Sequence, residues 1–334
     1  MFKRASFKLL IIILTTVYMA IIAVGCSVGN KGETQKAIKY PEKPIQILVG
    51  FAAGGPNDKS ARLIAPFLEK QLGQPVSIVN KPGGAGEVAF VSLAHANPDG
   101  YTLSMVNFPN VVAIAMHHKT NYTLEDFGWL GNLSFDENVI VAKADGSYRT
   151  IEDLIIAAKK NPEGIIAGHS GPLTDDQLAG LVFEKAAGVK FRWTPFQGSA
   201  PSITALLGGH IEIAIANVVD VEELAKDKKL IVLATMGEER NPKLPDVPTL
   251  KEKGINVVLG SYRALAAPAK VPPEILSKLR EEVKKAVNDP EYKKRAKETN
   301  EPVYYIEPEK FDGIINEMSD RLKAMDIQQI ELNQ

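Results

Sequence analysis

The chain is poor in cysteine and has no marked excess of charge of either sign. Cys26 is the only cysteine among 334 residues, so the remaining chain contains no internal disulfide, cysteine-based zinc site or catalytic thiol. Its 39 Lys and Arg residues nearly balance 40 Asp and Glu residues, for a formal net charge of −1. This balance gives no support to nucleic-acid binding through a general positive field.

Long uncharged runs are also scarce, and the clearest one lies near the N-terminus. Lys3, Arg4 and Lys8 precede an uncharged run over 9–24, and small residues follow before Cys26. This layout is typical of a secretory signal, with a retained membrane anchor as the alternative. Residues 23–26, Ala-Val-Gly-Cys, resemble a bacterial lipobox. We therefore expect a signal peptide over 1–26, lipid attachment at Cys26, a polar flexible tether over 27–39, and an extracytoplasmic, lipid-anchored location.

The remaining chain is a series of short apolar runs, each followed by a turn and most by a helical pattern. The predicted strands cover 45–49, 75–80, 101–106, 139–142, 164–168, 191–193, 211–216 and 230–235, with further candidates at 255–259 and 264–267. Successive strand-turn-helix units predict an α/β fold in which helices flank a parallel sheet. No fixed-period repeat is visible.

The first of these turns has the composition of an anion site. Phe51-Ala52-Ala53-Gly54-Gly55 follows a strand, and Pro56 and Asp58 suit the first turn of a helix. Backbone N–H groups at a helix N-terminus can hold a carboxylate or phosphate without a cationic side chain. A plain strand-to-helix loop is the alternative.

Two further stretches allow competing interpretations. Gly168-His169-Ser170-Gly171-Pro172 resembles a nucleophile elbow, but its second glycine falls one residue early, so neutral ligand donors at a helix start are favoured over an extracytoplasmic serine hydrolase using Ser170. Arg263 is the one cation in a stretch of small and apolar residues. Its guanidinium could bind a substrate carboxylate or form a structural ion pair.

Several segments, in order along nearly the whole predicted mature chain, resemble the substrate-binding proteins of tripartite tricarboxylate transporters, the Bug family. The matching segments are Tyr40-Pro41-Glu42-Lys43-Pro44-Ile45, Phe51 to Gly55 with Asp58, Leu72-Gly73-Gln74-Pro75-Val76, Asn80-Lys81-Pro82-Gly83, Pro98-Asp99-Gly100-Tyr101-Thr102-Leu103, Gln197-Gly198-Ser199-Ala200-Pro201, Leu206-Leu207-Gly208-Gly209-His210 and Pro245-Asp246-Val247-Pro248-Thr249.

The resemblance implies a two-domain periplasmic-binding-protein fold of type II, the Venus flytrap, in which each domain is a mainly parallel sheet flanked by helices. The first domain is expected over 40–138 and 237–334, and the second over 139–236. Such a protein is not an enzyme and needs no cofactor. It closes as a monomer over a small carboxylate and delivers it to integral membrane transporter subunits; a sensor subunit that presents its ligand to a receptor is an alternative.

The resemblance also implies which residues face the ligand. They are the first turn with Asp58 and the loops around 170–174 and 197–199. The sequence itself adds Asn107 and Asn217, at the ends of two predicted strands, and Arg263. The expected ligand-binding residues are Phe51, Ala53, Gly54, Gly55, Asp58, Asn107, Ser170, Gly171, Thr174, Gln197, Ser199, Asn217 and Arg263. His169, Gln177 and the Ser261-Tyr262-Arg263 stretch depart from the residues usual in the family, which leaves the identity of the ligand open.

Overall fold

A computed structural model describes residues 39–324 of the chain. The predicted signal peptide, Cys26 and the predicted tether up to residue 38 lie outside the described residues. Within 39–324, no helix is both long enough and apolar enough to cross a membrane. The described residues from Tyr40 to Ala324 form one compact unit.

Nine strands in the described part of the chain form one connected sheet. They are β1 Ile45–Val49, β2 Val76–Asn80, β3 Thr102–Phe108, β4 Phe127–Lys143, β5 Ile166–His169, β6 Arg192–Pro195, β7 Ile213–Asn217, β8 Leu230–Thr235 and β9 Gly260–Pro268. Their order is β2-β1-β3-β9-β4-β7-β5-β6, and β8 pairs with β4. Pairs among β1, β2 and β3 and among β5, β6 and β7 are parallel, whereas β4 and β9 run antiparallel to their neighbours.

Ten α-helices in the same part of the chain cover the faces of this sheet. They are α1 Pro56–Leu72, α2 Glu87–Ala94, α3 Asn110–His117, α4 Ile151–Lys160, α5 Asp175–Ala187, α6 Ser199–Leu207, α7 Val218–Lys226, α8 Pro273–Asn288, α9 Pro290–Glu298 and α10 Pro308–Lys323. Local signals set several of their ends. Pro56 begins α1 and Gly73 ends it with φ 69°, while Thr150 and Asp153 form a capping box at the start of α4.

The 17-residue strand β4 joins two lobes of the sheet. Its residues 127–137 pair with β9, and residues 138–143 pair with β7 and β8. We call the side with β1, β2, β3 and β9 the first lobe, and the side with β5 to β8 the second lobe. The backbone N–H of Met236, just past β8, donates to the carbonyl of Asn138 (2.8 Å), so the chain returns beside the point where β4 changes partners. The domain limits at 138/139 and 236/237 stay a prediction.

The two lobes are in direct contact. Leu173 and Leu178 of the second lobe are buried in the apolar cluster that contains Phe108, Trp129 and Phe311 of the first lobe. Burial of both leucines removes their apolar surface from water only while the lobes are together.

Some sequence-based element predictions were wrong. Asn107 lies within β3 instead of beyond its end, because Asn107 and Phe108 continue the ladder with β9. Residues 255–259 form no regular strand, whereas β9 begins already at Gly260 and includes Arg263. The helices α3 and α9 were not predicted, and the predicted strand 139–142 is only the last part of β4.

Candidate functional site

The Phe51–Gly55 turn is built and held by Asp58. Asp58 is buried, and its Oδ2 accepts hydrogen bonds from the backbone N–H of Gly54 (2.8 Å) and from Nε of Arg62 (2.7 Å), while Oδ1 accepts one from Asn80 (2.9 Å). Burial alone raises the pKa of Asp58, but these donors outweigh it and hold the pKa below its usual value. Asp58 therefore fixes the turn, while Ala53 and Gly54 are exposed on it.

The loop after β5 is held mainly by internal hydrogen bonds. Oγ of Ser170 donates to Oγ1 of Thr174 (3.1 Å), and Thr174 donates to the carbonyl of Gly171 (2.7 Å). Leu173 adopts a positive φ of 57°, and its N–H donates to Oε1 of Gln177 (2.8 Å). The side chain of Gln177 thus stabilises the loop by accepting a hydrogen bond from the backbone of Leu173.

His169 is buried next to this loop, and its Nδ1 lies 2.8 Å from the carbonyl of Gly171. Burial lowers the pKa of His169 to about 4, so its imidazole is neutral at physiological pH.

Arg263 forms a buried ion pair. Its Nη2 donates to Oδ2 of Asp136 (3.1 Å) and its Nη1 to Oγ of Ser134 (3.2 Å). Asn107 of β3 is paired with Arg263 of β9, and its Nδ2 donates to Oγ of Ser261 (3.3 Å). Of the two roles left open for Arg263, the structure contains the ion pair, and a contact with ligand stays a prediction.

Asn138 and Asn217 connect Asp136 to the start of α5. Nδ2 of Asn217 lies 3.2 Å from the carbonyl oxygen of Asp136 and 3.0 Å from Oδ2 of Asp175. Nδ2 of Asn138 lies 3.1 Å from Oδ2 of Asp175 and 3.1 Å from Oδ1 of Asp176. All five side chains are buried.

The start of α7 completes the network. The hydroxyl of Ser199, the first residue of α6, and the backbone of Asn217 both hydrogen-bond to Asp220. Gln197, on the loop before α6, is exposed. We call the resulting group of side chains the central cluster; it comprises Asp136, Asn138, Asp175, Asp176, Asn217, Asp220 and Arg263.

The central cluster is rich in carboxyl groups whose charge is disfavoured. Burial, followed by the charge of Asp175, raises the pKa of Asp176 well above its usual value, and burial also raises the pKa of Asp175 and Asp136. Burial, together with the charge of Asp136, raises the pKa of Asp220 to about 6. The central cluster thus contains four carboxyl groups but only one guanidinium group, that of Arg263.

The structure brings Ser170, Gly171, Thr174, Ser199, Asn217 and Arg263 to the central cluster or its border, with Asn107 beside Arg263. It places Phe51, Ala53, Gly54 and Gly55 together on the first-lobe turn, with Asp58 beneath them. Sequence reasoning missed Asp136, Asn138, Asp175, Asp176 and Asp220 as members of the site. The signal for Asp176 was present, because it follows Thr174 and Asp175, which suit the start of a helix, whereas the helix predicted from 221 onward began after Asp220.

Among the described residues, no group of three or more His, Cys, Asp or Glu side chains is arranged to hold a metal ion. The donor set of the central cluster consists of carboxyl, amide and hydroxyl groups with one guanidinium. These groups can form hydrogen bonds and electrostatic interactions with a small polar molecule.

Comparison with known proteins agrees with this architecture. A model of the tripartite tricarboxylate transporter family receptor matches residues 60–332. A UPF0065 protein in the gbd 5′ region of Cupriavidus necator is 34% identical over 291 residues, covering 87% of this chain and 88% of the relative. The crystal structure of a TctC solute-binding protein from Polaromonas, without ligand, is 32% identical with a TM-score of 0.72, covering 86% of this chain and 98% of that one. Rpa4515 of R. palustris with adipate is 25% identical with a TM-score of 0.78, covering 86% and 97%.

The two-lobed sheet, the strand that crosses between lobes and the polar residues gathered there define a solute-binding protein of the two-domain periplasmic type. The chain belongs to the tripartite tricarboxylate transporter receptor family. The resemblance found in the sequence is thereby confirmed.

Proposed function

We propose that this chain is a lipid-anchored extracytoplasmic protein that captures a small carboxylate-containing metabolite between its lobes and delivers it to integral membrane subunits of a tripartite tricarboxylate-type transporter. The observation that carries the proposal is the central cluster, a buried polar group to which both lobes contribute. Arg263 comes from the first lobe, Asp175 and Asp220 from the second, and Asp136 from the strand between them. Membership of a receptor family and a relative solved with adipate support it.

The proposed binding residues lie on both lobes. Closure around a ligand would bring the first-lobe turn to the second-lobe loops, and binding energy would favour the closed form through contacts made only there. The residues proposed to face the ligand are Phe51, Ala53, Gly54, Gly55, Asn107, Ser170, Gly171, Thr174, Gln197, Ser199, Asn217 and Arg263, with Asp58 supporting the turn.

A thermal-shift screen of the full chain in mild detergent tests capture. Mono-, di- and tricarboxylates would each be added over a range of concentrations. A ligand at 100 times its dissociation constant adds about 2.7 kcal/mol of stability, which is a clear rise in melting temperature. Failure of every carboxylate, amino-substituted ones included, to stabilise the protein would count against capture.

Delivery and anchoring need a cellular measurement. Uptake of the radiolabelled ligand identified by the screen should fall in cells lacking this chain and return when the chain is restored. Cys26→Ala should release the protein from the membrane fraction. Normal uptake without the chain, together with loss of a transcriptional response to the ligand, would favour the sensor alternative.

The hydrolase alternative has its own test. The hydroxyl of Ser170 donates to Thr174 in this structure, and among the described residues no histidine forms a hydrogen bond with it. Turnover of p-nitrophenyl acetate by the purified chain, lost in Ser170→Ala, would favour a hydrolase. We expect no turnover.

A further inference from the structure

A cavity of about 520 Å³ lies where the two lobes meet, outside the central cluster. Its volume is within the range of ligand pockets in proteins, about 300–1,000 Å³. We call it the rear cavity. Its walls come from both lobes, because α5 of the second lobe and α10 of the first lobe line it together with β4 and β9. The residues that matter for its chemistry are Val182 and Lys185 of α5, Phe135 of β4, Tyr262 of β9, and Ile314 and Met318 of α10.

The rear cavity and the central cluster lie on opposite faces of the β4–β9 strand pair. Phe135 pairs with Tyr262, whereas Arg263 pairs with Ser134, one position along each strand. Successive side chains of a strand point to opposite faces of the sheet. Phe135 and Tyr262 therefore point away from the face that carries Arg263 and Asp136. A molecule in the rear cavity would be separated from the proposed carboxylate site by the sheet itself.

The rear cavity is apolar inside and polar at its mouth. Its large apolar side chains are shielded from water, since Phe135, Tyr262 and Ile314 are half-buried and Met318 is buried. Such a cavity suits an amphipathic ligand whose apolar body lies inside and whose polar group lies at the mouth. The polar residues on its walls are all exposed, and they are Lys185, Glu238, Asn256 and Glu317.

Lys185 is the positive charge at this mouth. Its Nζ donates to the carbonyl oxygen of Ala324, at the end of α10 (2.6 Å), and among residues 39–324 it forms no ion pair with a carboxylate. An ammonium group has three donors, so two remain for a ligand. Glu238 at the same mouth already pairs with Lys251. Glu317 is exposed, so water and salt screen its charge.

We propose that the rear cavity binds a monocarboxylate with a medium-length alkyl chain, such as decanoate. The chain would lie against Phe135, Ile314 and Met318, and the carboxylate would bind to Lys185. One carboxylate matches one ammonium group, and the charge-assisted hydrogen bond between them would fix the head group at the mouth. The alkyl chain would remove apolar surface of both lobes from water. The inference does not depend on the proposed function, because this site is separate from the central cluster.

Photolabelling of the full chain in phosphatidylcholine nanodiscs tests this inference. The probe is decanoic acid that carries a diazirine group in its alkyl chain, and peptide mass spectrometry identifies the labelled residues. We expect label on α5, α10 or the β4–β9 pair at the rear cavity. Excess decanoate should suppress this labelling. Decanol and decylammonium have the same chain but no carboxylate, so they should suppress it much less.

Variants that fill the cavity locate the alkyl chain. Ile314→Trp places a larger side chain in the cavity from the first lobe, and Val182→Trp does so from the second lobe, so either variant should abolish the labelling. Ile156→Trp is the matched control, because Ile156 is 67% exposed on α4 and does not line the rear cavity. Circular dichroism shows which variants are folded, and either folded cavity variant is sufficient for the test.

Variants of Lys185 locate the carboxylate. Lys185→Gln should weaken labelling about tenfold, because a hydrogen bond to a charged group is lost. Lys185→Arg should retain the labelling, since it keeps the positive charge and the donors. Lys159→Gln is the matched control, because it removes the same charge from an exposed residue of α4.

The outcomes separate this site from the site of the proposed function. Label confined to Phe51–Gly55 or to the loop around Ser170 would place the acid between the lobes, which refutes the rear site and leaves the proposed function intact. Unchanged labelling in folded Ile314→Trp or Val182→Trp would also refute the rear site. Suppression by decanol as strong as that by decanoate would refute the role of Lys185.

Discussion

Arg263 and Asp136 form an ion pair at the centre of the molecule, with Nη2 and Oδ2 separated by 3.1 Å. The two residues are 127 positions apart in sequence and belong to neighbouring antiparallel strands. Because β9 belongs to the first lobe and β4 continues into the second, this pair lies on the connection between the lobes. Its burial makes it a structural element as well as part of the proposed site.

Removing one partner of this pair should be strongly destabilising. Arg263→Ala leaves the carboxyl group of Asp136 buried without its cationic partner, and the loss of one partner of a buried pair lowers the free energy of unfolding by about 3–5 kcal/mol. Arg263→Met combined with Asp136→Leu should recover most of that stability, because no unpaired charge remains. Urea denaturation of the single and double variants measures both effects.

A surface pair provides the control. Lys229 and Asp227 are each more than half exposed, at 58% and 59%, so Lys229→Ala should change stability by less than about 1 kcal/mol. A loss in Arg263→Ala no larger than in this control would show that the central pair contributes little to folding.

Replacing two helical glycines with alanine should change the stability of the protein in opposite directions. A Cβ at Gly180 in α5 would lie 2.1 Å from the Trp193 ring, whereas a Cβ at Gly313 in α10 would meet nothing within 4 Å. Gly180→Ala should therefore cost more than about 1 kcal/mol through overpacking, and Gly313→Ala should stabilise by about 0.5–1 kcal/mol. Thermal unfolding compares them, and equal shifts would contradict the described packing of Trp193.

The sequence was informative where structure is set by neighbouring residues. The Phe51–Gly55 turn, the loop at Ser170 and the start of α6 follow from glycine, proline and helix-start residues within a few positions. The long-range partners were not predictable in this way. The partner of Arg263 is Asp136 because β9 pairs with β4, and no local pattern specifies that pairing. Gln177 was noted as unusual, yet its role in holding Leu173 depends on a positive φ that the sequence does not indicate.

The contribution of Asp220 to the stability of the ligand-free protein should fall as the pH rises. Burial and the charge of Asp136 raise the pKa of Asp220 to about 6 in the folded state, above about 3.9 in an unfolded chain. The folded state therefore binds more protons between these values, so the stabilising contribution is complete below about pH 4 and is lost as the pH passes through about 6.

Urea unfolding from pH 4.5 to 7.5 measures this loss. In Asp220→Asn the decline should be smaller than in the unmodified chain by about 2 kcal/mol, since one pKa unit corresponds to about 1.4 kcal/mol and part of the effect lies below pH 4.5. Asp145→Asn, on an exposed position, should retain the full decline. Identical slopes in all three proteins would mean that Asp220 is not protonated preferentially in the folded state.

A second contact between the lobes involves Glu222 of α7 and Asn300, which follows α9. Nδ2 of Asn300 donates to Oε2 of Glu222 (2.6 Å), and Nζ of Lys243 lies 3.3 Å from the same oxygen and 3.1 Å from the carbonyl of Asn300. Glu222 is buried and its pKa is lowered, because hydrogen bonds from Lys226, Asn300 and Lys243 outweigh the effect of burial. The contact joins the second lobe to the first, so it should stabilise the arrangement in which the lobes touch.

Removal of the Asn300 side chain should therefore weaken ligand binding without unfolding the protein. Asn300 has φ 60°, a conformation that glycine adopts readily, so Asn300→Gly removes the amide with little backbone strain. Loss of a hydrogen bond to a charged group should destabilise the arrangement in which the lobes touch by about 1.5–3 kcal/mol. Ligand affinity should therefore fall about tenfold or more. Lys228→Gly is the matched control, because Lys228 is exposed and has φ 56°. Equal affinities of the two glycine variants, with unchanged small-angle scattering of both ligand-free proteins, would show that Glu222 and Asn300 do not bias closure.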